Sequence, residues 1–150
     1  DNNPKGFFEH ENVKSLVKKN NWLKDARGKV VKIVSPLIRF LPPPYSYKVI
    51  VMRRDIVEVV QSQHKMLVKA GKADVDSYPI KMEDTLKKQF QSAITWMDKQ
   101  PNVEYIIVDF KKAISDPKAV AAEVASFLKK GLNLEAMANS SVKELYRNRN

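Results

Sequence analysis

The stretch YKVIVMRRDIVEVVQSQHKML, residues 47–67, changes its hydrophobic period at the two arginines in its centre. Before them, residues 47–52 are nearly continuous in apolar side chains, which is typical of a strand buried on both faces. After them, apolar residues recur at intervals of three and four over residues 55–70, and Asp55 with Glu58 has the spacing of a capping box. The stretch therefore predicts a strand, a turn and a helix, with a double positive charge at the turn.

The alternation of strand and helix patterns continues on both sides of this stretch. Three consecutive prolines at 42–44 form a rigid connector, since proline continues neither a helix nor a central strand. Strands that alternate with helices predict an α/β fold, with a parallel sheet flanked by helices in a single domain over residues 1–150. The other predicted strands are 29–34 (KVVKIV) and 103–110 (VEYIIVDF); the other predicted helices are 9–23, 81–99 and 116–131, with a short one in the tail.

The charge of the chain predicts an anionic partner. A formal net charge of +10 and a pI near 9.7 suit a nucleic acid, an acidic lipid or a phosphorylated ligand. The alternative is that the lysines only solvate the surface. In open parallel sheets, ligands bind beyond the carboxyl ends of the strands, which is where Arg53 and Arg54 fall.

Several kinds of site and location are excluded or disfavoured by composition. The absence of cysteine excludes disulfides, thiolate metal sites and cysteine nucleophiles, and two histidines are too few for a usual zinc site, so we expect no metal. No apolar stretch approaches the roughly 20 residues that cross a bilayer. The first residues, DNNPKGFFEHE, also lack the segments of a secretory signal. We expect a cytoplasmic protein without membrane contact.

The turn that contains Arg53 and Arg54, here called the arginine turn, has two interpretations that the spacing of its residues does not separate. At about 100° per residue, Ser62 lies some 20° around the helix from Asp55, so its hydroxyl can face the same crevice as Arg54. A guanidinium and a hydroxyl together would form a small phosphate clamp. Alternatively, the arginines balance Asp55 and Glu58 at a helix start, and Ser62 is only a tolerated small residue.

The order of several segments resembles the bacterial branch of the sulfotransferase family, over most of residues 2–149. That family implies a P-loop NTPase-like fold and transfer of a sulfuryl group from 3′-phosphoadenosine 5′-phosphosulfate to a hydroxyl or amine acceptor, without a metal. The segments that carry the resemblance are NPKGFFEHENVK, KVVKIVSPLIRFLPP, VIVMRRDIVEVVQSQHKML, VEYIIVDFKKAISDPKAVAAEVASFL and ELYRNR.

The resemblance assigns the donor's 3′-phosphate to the arginine turn. In the family, an arginine ends a strand and a serine follows eight positions later, as Arg54 and Ser62 do here. The resemblance thus implies that these two residues hold the 3′-phosphate and that Arg53 supports them. Arg147 and Arg149 match the basic C-terminal segments that close over this phosphate in the family.

The chain departs from the family at its start. Members have a strand and a glycine-rich loop before the NPKGFFEHE segment, and the loop binds the 5′-phosphosulfate through backbone N–H groups. The four glycines, at 6, 28, 71 and 131, form no such loop. We therefore expect a partial sulfotransferase domain, inactive alone, with two apolar strand edges exposed. The missing strand and loop would come from another chain or segment.

The catalytic base is the second departure. The sequence KIVSPL retains the family's lysine as Lys32, but Val34 stands where the cytosolic branch has its catalytic histidine. Other branches use a glutamate, and Glu9 is the matching candidate; its alternative role is a favourable acid in the first turn of a helix. The Lys32 ammonium would lie near the transferred group, or else face solvent at a strand end.

Two further functions compete with this prediction. A nucleic-acid-binding module would suit the charge, but the aromatic residues are not interleaved with basic ones in any recognisable single-strand platform, and no known groove-reading motif is present, so we do not expect a nucleic-acid partner. A noncatalytic remnant of the sulfotransferase fold, kept for protein interaction, is the other alternative, because the loop is missing.

Overall fold

The computed structural model describes residues 10–77 and 79–141. Along this part of the chain it has two strands, five α-helices and three short 3-10 helices. The strands are β1 (Tyr47–Arg53) and β2 (Val103–Asp109); the α-helices are α1 (Ile56–Lys69), α2 (Ile80–Asp98), α3 (Phe110–Ser115), α4 (Pro117–Leu128) and α5 (Leu134–Asn139); the 3-10 helices are Glu11–Ser15, Asn21–Ala26 and Ser35–Phe40.

The two strands form a parallel sheet in which α1 and α2 make the connection. Pairing runs without a break from Tyr47 opposite Val103 to Arg53 opposite Asp109. Within the described ranges, β1 and β2 pair only with each other. The predicted parallel α/β arrangement is thus confirmed in its coarse form, as a small two-strand sheet flanked by helices.

The predicted strand at 29–34 is wrong. This segment has no regular secondary structure; Val30 is 93% and Val34 46% exposed, whereas Val31 is partly buried. Its β-branched residues favour a strand, but strand propensity depends on a neighbouring strand to pair with, and none of the described residues supplies one. Ile33 alone of this segment packs against the main apolar cluster.

The single helix predicted at 9–23 is also wrong, since two 3-10 helices, Glu11–Ser15 and Asn21–Ala26, occupy this region. Asn20 precedes the second one, and asparagine competes with helical hydrogen bonding through its own side chain. The two 3-10 helices still direct most of the apolar residues of this region into the core. Val17, which fits the predicted helical pattern, is instead 52% exposed. The inward apolar residues are Val13, Leu16 and Leu23.

The remaining helices follow the sequence patterns closely. Asp55 caps α1 and Asp116 caps α4, which begins at Pro117 as predicted. The short helix expected near the C-terminus is α5, whereas α3, directly after β2, was not predicted. No helix within the described residues has both the length and the apolar character that spanning a membrane demands.

The two faces of the sheet are packed to different extents. On one face, alternate residues of β1 and β2 pack against a core from the N-terminal 3-10 helices and α2. On the other, the Lys48 ammonium lies 2.7 Å from the Phe127 carbonyl oxygen and 4.8 Å from the centroid of its ring, so the end of α4 contacts this face near the start of β1, whereas Met52 on the same face is 49% exposed. The first core comprises Leu16, Leu23, Ile38, Leu41, Ala93 and Met97.

Candidate functional site

An open depression of about 170 Å³ lies at the carboxyl ends of the two strands. It exists because parallel strands end at the same edge, and because a charged residue ends each one: Arg53 in β1 and Asp109 in β2. Helices α1 and α3 begin immediately beyond. The lining residues are Arg53, Arg54, Asp55, Asp109 and Lys111.

The N-termini of both helices at this edge are capped by aspartates. Asp55 Oδ1 accepts from the backbone N–H groups of Val57 (2.9 Å) and Glu58 (3.2 Å). Asp109 Oδ1 accepts in the same way from Lys111 (2.9 Å) and Lys112 (3.2 Å). An entering anion would find these amide donors already engaged and would depend on side-chain cations instead.

The guanidinium of Arg54 is held on two sides. Its Nε lies 3.5 Å from Glu58 Oε2, one helical turn further along α1. Its Cζ lies 4.7 Å from the centroid of the Phe110 ring, at cation–π distance. Arg54 is therefore partly buried at the edge of the sheet, with its Cζ over an aromatic ring.

Glu58 also contacts a second cation. Its other oxygen, Oε1, lies 3.2 Å from the Lys111 ammonium, and the Glu58 side chain is fully buried. This one carboxylate thus joins α1 to the start of α3 and draws Arg54 and Lys111 to the same point. The Lys111 side chain itself is half-exposed and also lines the depression.

Arg53 forms the outermost pair of the site. Its Nη2 lies 3.4 Å from Asp109 Oδ2, and the two side chains are 58% and 40% exposed. The backbone N–H of Lys112 has the largest effect and lowers the pKa of Asp109. Burial opposes it, and the Lys111 N–H and the Arg53 guanidinium lower the pKa further, so that the net shift is downward. The carboxylate is therefore ionised at neutral pH. An exposed pair of this kind contributes only about 0–1 kcal/mol, so Arg53 can exchange its partner at little cost.

The charges around the depression nearly balance. Three cations, Arg53, Arg54 and Lys111, are matched by the carboxylates of Asp109, Glu58 and the capping Asp55 within the described part of the chain. An anion would therefore be bound through directed donors more than through net charge. A guanidinium carries five N–H donors in a planar fork, which suits the oxygens of a phosphate.

The predicted site residues are distributed unevenly. Arg53 and Arg54 lie together at the depression. Ser62 is half-buried on α1, on the same face as Glu58 and one turn beyond it, but does not line the depression. Lys32 is exposed on the irregular segment before residue 35 and also lies outside the lining. Three predicted site residues fall outside the described residues: Glu9, Arg147 and Arg149.

Sequence reasoning missed Asp109 and Lys111 as residues of this site. It also did not predict that Glu58 is buried and contacts two cations. A signal for Asp109 and Lys111 was present, because VEYIIVDFKK ends a strand with charged residues as YKVIVMRRD does. For Glu58, the signal was an acidic side chain between Val57 and Val59, four residues after an arginine, which is the spacing of a helical ion pair.

The chain matches no protein-family model, and neither the curated proteins nor the solved structures give a significant match.

Proposed function

We propose that this chain provides the 3′-phosphate-binding part of a sulfotransferase that uses 3′-phosphoadenosine 5′-phosphosulfate as its sulfuryl donor. The proposal is supported by the ordered resemblance of its segments to that family and by the position of the arginine turn. The P-loop-like sulfotransferase fold, with a further strand and a glycine-rich loop, is part of the same proposal.

One observation carries the proposal: Arg54 is oriented at the carboxyl edge of a parallel sheet, in a depression that Arg53 and Lys111 also line. Ligands of open α/β sheets bind at this edge. Charge-assisted bonds from a planar guanidinium to phosphate oxygens are among the stronger and more directional ones available to a protein. The resemblance adds the Ser62 hydroxyl as a further donor to this phosphate, although Ser62, one turn beyond Glu58 on α1, lies outside the lining of the depression.

The rest of the proposed machinery lies around this phosphate site. Arg147 and Arg149 would close over the same phosphate from the C-terminal segment. The glycine-rich loop and its strand would come from another chain or segment. That strand would pair with the outer edge of β1, which has no partner strand within the described residues.

The chemistry that we propose needs little covalent participation by the protein. The acceptor's hydroxyl or amine loses its proton to the Glu9 carboxylate and forms a bond to sulfur. The bond between sulfur and the bridging phosphate oxygen breaks, and adenosine 3′,5′-bisphosphate leaves. Because the transition state is loose, positive charge such as that of Lys32 near the sulfuryl oxygens and accurate positioning do most of the catalysis.

The test is a titration of the chain with adenosine 3′,5′-bisphosphate by isothermal calorimetry. Arg54→Ala should weaken binding by roughly ten- to hundred-fold, because a hydrogen bond to a charged group contributes about 1.5–3 kcal/mol. Adenosine 5′-monophosphate, which lacks the 3′-phosphate, should bind the unchanged chain much more weakly than the bisphosphate does.

A matched control is Arg39→Ala. Arg39 also lies against a phenylalanine, 5.0 Å from the Phe40 centroid, but on a 3-10 helix outside the depression, so its removal should leave the affinity unchanged. Equal binding by the unchanged chain and Arg54→Ala would refute the proposal. Tight, steeply salt-dependent binding of single-stranded RNA that neither substitution affects would favour a nucleic-acid-binding module instead.

A further inference from the structure

Glu58 is buried where an ionised side chain has a large desolvation penalty. Its side chain is fully buried, and it is the single buried charged residue within the described ranges. Ionised groups lose their hydration when they are buried, and apolar residues of similar size often give equal or greater stability at such positions. Stability alone therefore gives little reason for a glutamate here.

We propose that Glu58 is a positioning residue, which orients Arg54 and Lys111 toward a single phosphate in the depression. This inference rests on the proposed function, because it takes the phosphate as the ligand of Arg54. Each Glu58 oxygen contacts a different cation, Oε2 with Arg54 Nε at 3.5 Å and Oε1 with Lys111 Nζ at 3.2 Å.

The contact with Glu58 holds the guanidinium at Nε, and the Phe110 ring lies 4.7 Å from its Cζ. A guanidinium held by two contacts has less rotational freedom than one in open solvent. A phosphate would be bound through the Nη groups, which carry four of the five N–H donors. Binding of a phosphate then costs less side-chain entropy than binding by a freely rotating arginine.

The alternative role of Glu58 is to reduce the positive charge of the site, and the two roles predict effects of opposite sign. If Glu58 only neutralises charge, Glu58→Gln makes the depression more positive and strengthens anion binding. If Glu58 positions the cations, the same change weakens binding. Glutamine keeps the volume and one acceptor oxygen, but its amide group presents N–H donors to the second cation.

The experiment measures the affinity for adenosine 3′,5′-bisphosphate by calorimetry in a double-mutant cycle. We expect Glu58→Gln to weaken binding by about tenfold, the order of one charge-assisted hydrogen bond. In an Arg54→Lys background, where there is no planar fork to orient, the same change should cost about twofold or less. Glu83→Gln is the matched control, because Glu83 pairs with Lys87 four residues on, in the first turn of α2 and away from the depression.

The outcomes separate this inference from the proposed function. Loss of affinity in Arg54→Ala together with equal or tighter binding by Glu58→Gln overturns the positioning role and leaves the function in place. An equal penalty in both backgrounds also overturns the proposed joint positioning of the two cations, because Glu58 would then act through Lys111 alone and not orient Arg54. If Arg54→Ala binds as the unchanged chain does, the proposed function itself fails.

A second variant keeps the inference testable if Glu58→Gln does not fold, which thermal unfolding would show. Glu58→Asp keeps the charge but shortens the side chain by one methylene, so that the carboxylate no longer reaches both cations. We expect weaker binding with an unchanged net charge. Unchanged affinity in Glu58→Asp would overturn the positioning role.

Discussion

Replacement of Asp109 by asparagine should strengthen phosphate binding at the edge of the sheet. Asparagine caps helices as well as aspartate does, so the acceptor for the backbone N–H groups of Lys111 and Lys112 is kept. What is lost is the negative charge that faces Arg53 at 3.4 Å. Asp109→Asn therefore separates the structural role of this residue from its competition with an incoming anion.

The magnitude follows from the exposure of the pair. Both side chains are substantially exposed, and such pairs contribute at most about 1 kcal/mol. That energy no longer has to be given up when Arg53 turns to the phosphate, which corresponds to an affinity up to about fivefold higher. Because the pKa of Asp109 is lowered, its side chain carries a full negative charge at neutral pH, and Asp109→Asn removes all of it.

The assay is again calorimetric titration with adenosine 3′,5′-bisphosphate, at low ionic strength, because salt screens exposed charges over about 10 Å at 0.1 M. Asp116→Asn is the control: Asp116 also caps a helix, accepting from the Ala119 N–H at 3.1 Å, but lies outside the depression. Unchanged or weaker binding by Asp109→Asn would refute the proposed competition. An equal gain in Asp116→Asn would show that only net charge matters.

Met97 is 1% exposed in the main core, so Met97→Ala should lower the free energy of unfolding by about 2–5 kcal/mol in a denaturant titration. Met66 is half-exposed, and Met66→Ala should change this free energy little. Similar effects of the two substitutions would contradict the core described here. Burial, with the neighbouring Tyr45, raises the pKa of Tyr47 from 10.0 to about 12. The neutral phenol is therefore favoured in the folded state, and its stabilising effect is complete below pH 10 and lost as the pH rises toward 12. Tyr47→Phe should remove this part of the alkaline loss of stability, and identical alkaline profiles for both proteins would count against it.

The sequence predicts the secondary structure well wherever that structure depends only on neighbouring residues along the chain. The apolar run before Arg53 and the capping aspartate after Arg54 are enough to define β1, the turn and α1. β2 was predicted for the same reason. At 29–34 the composition was equally strand-like, but strand formation there depends on a distant partner, which a local pattern does not reveal.

The site was predictable only in part, for a related reason. The rule that ligands bind at the carboxyl edge located Arg53 and Arg54. The meeting of Arg54 with Phe110 and of Glu58 with Lys111 depends on which strand neighbours β1 and in what register, and these contacts join residues more than 50 positions apart. The role of Glu58 therefore depends on its contact with Lys111 at the start of α3, which a local sequence pattern does not reveal.

The unbroken pairing that ends with Arg53 opposite Asp109 makes the site sensitive to changes far from it. In a sheet, moving one strand by a single residue turns each of its side chains to the other face. A one-residue insertion within β1 that shifted this register would leave every site residue in the sequence and still separate Arg53 from Asp109 and Glu58 from Lys111. Strand length is thus as much a determinant of this site as the identity of its arginines.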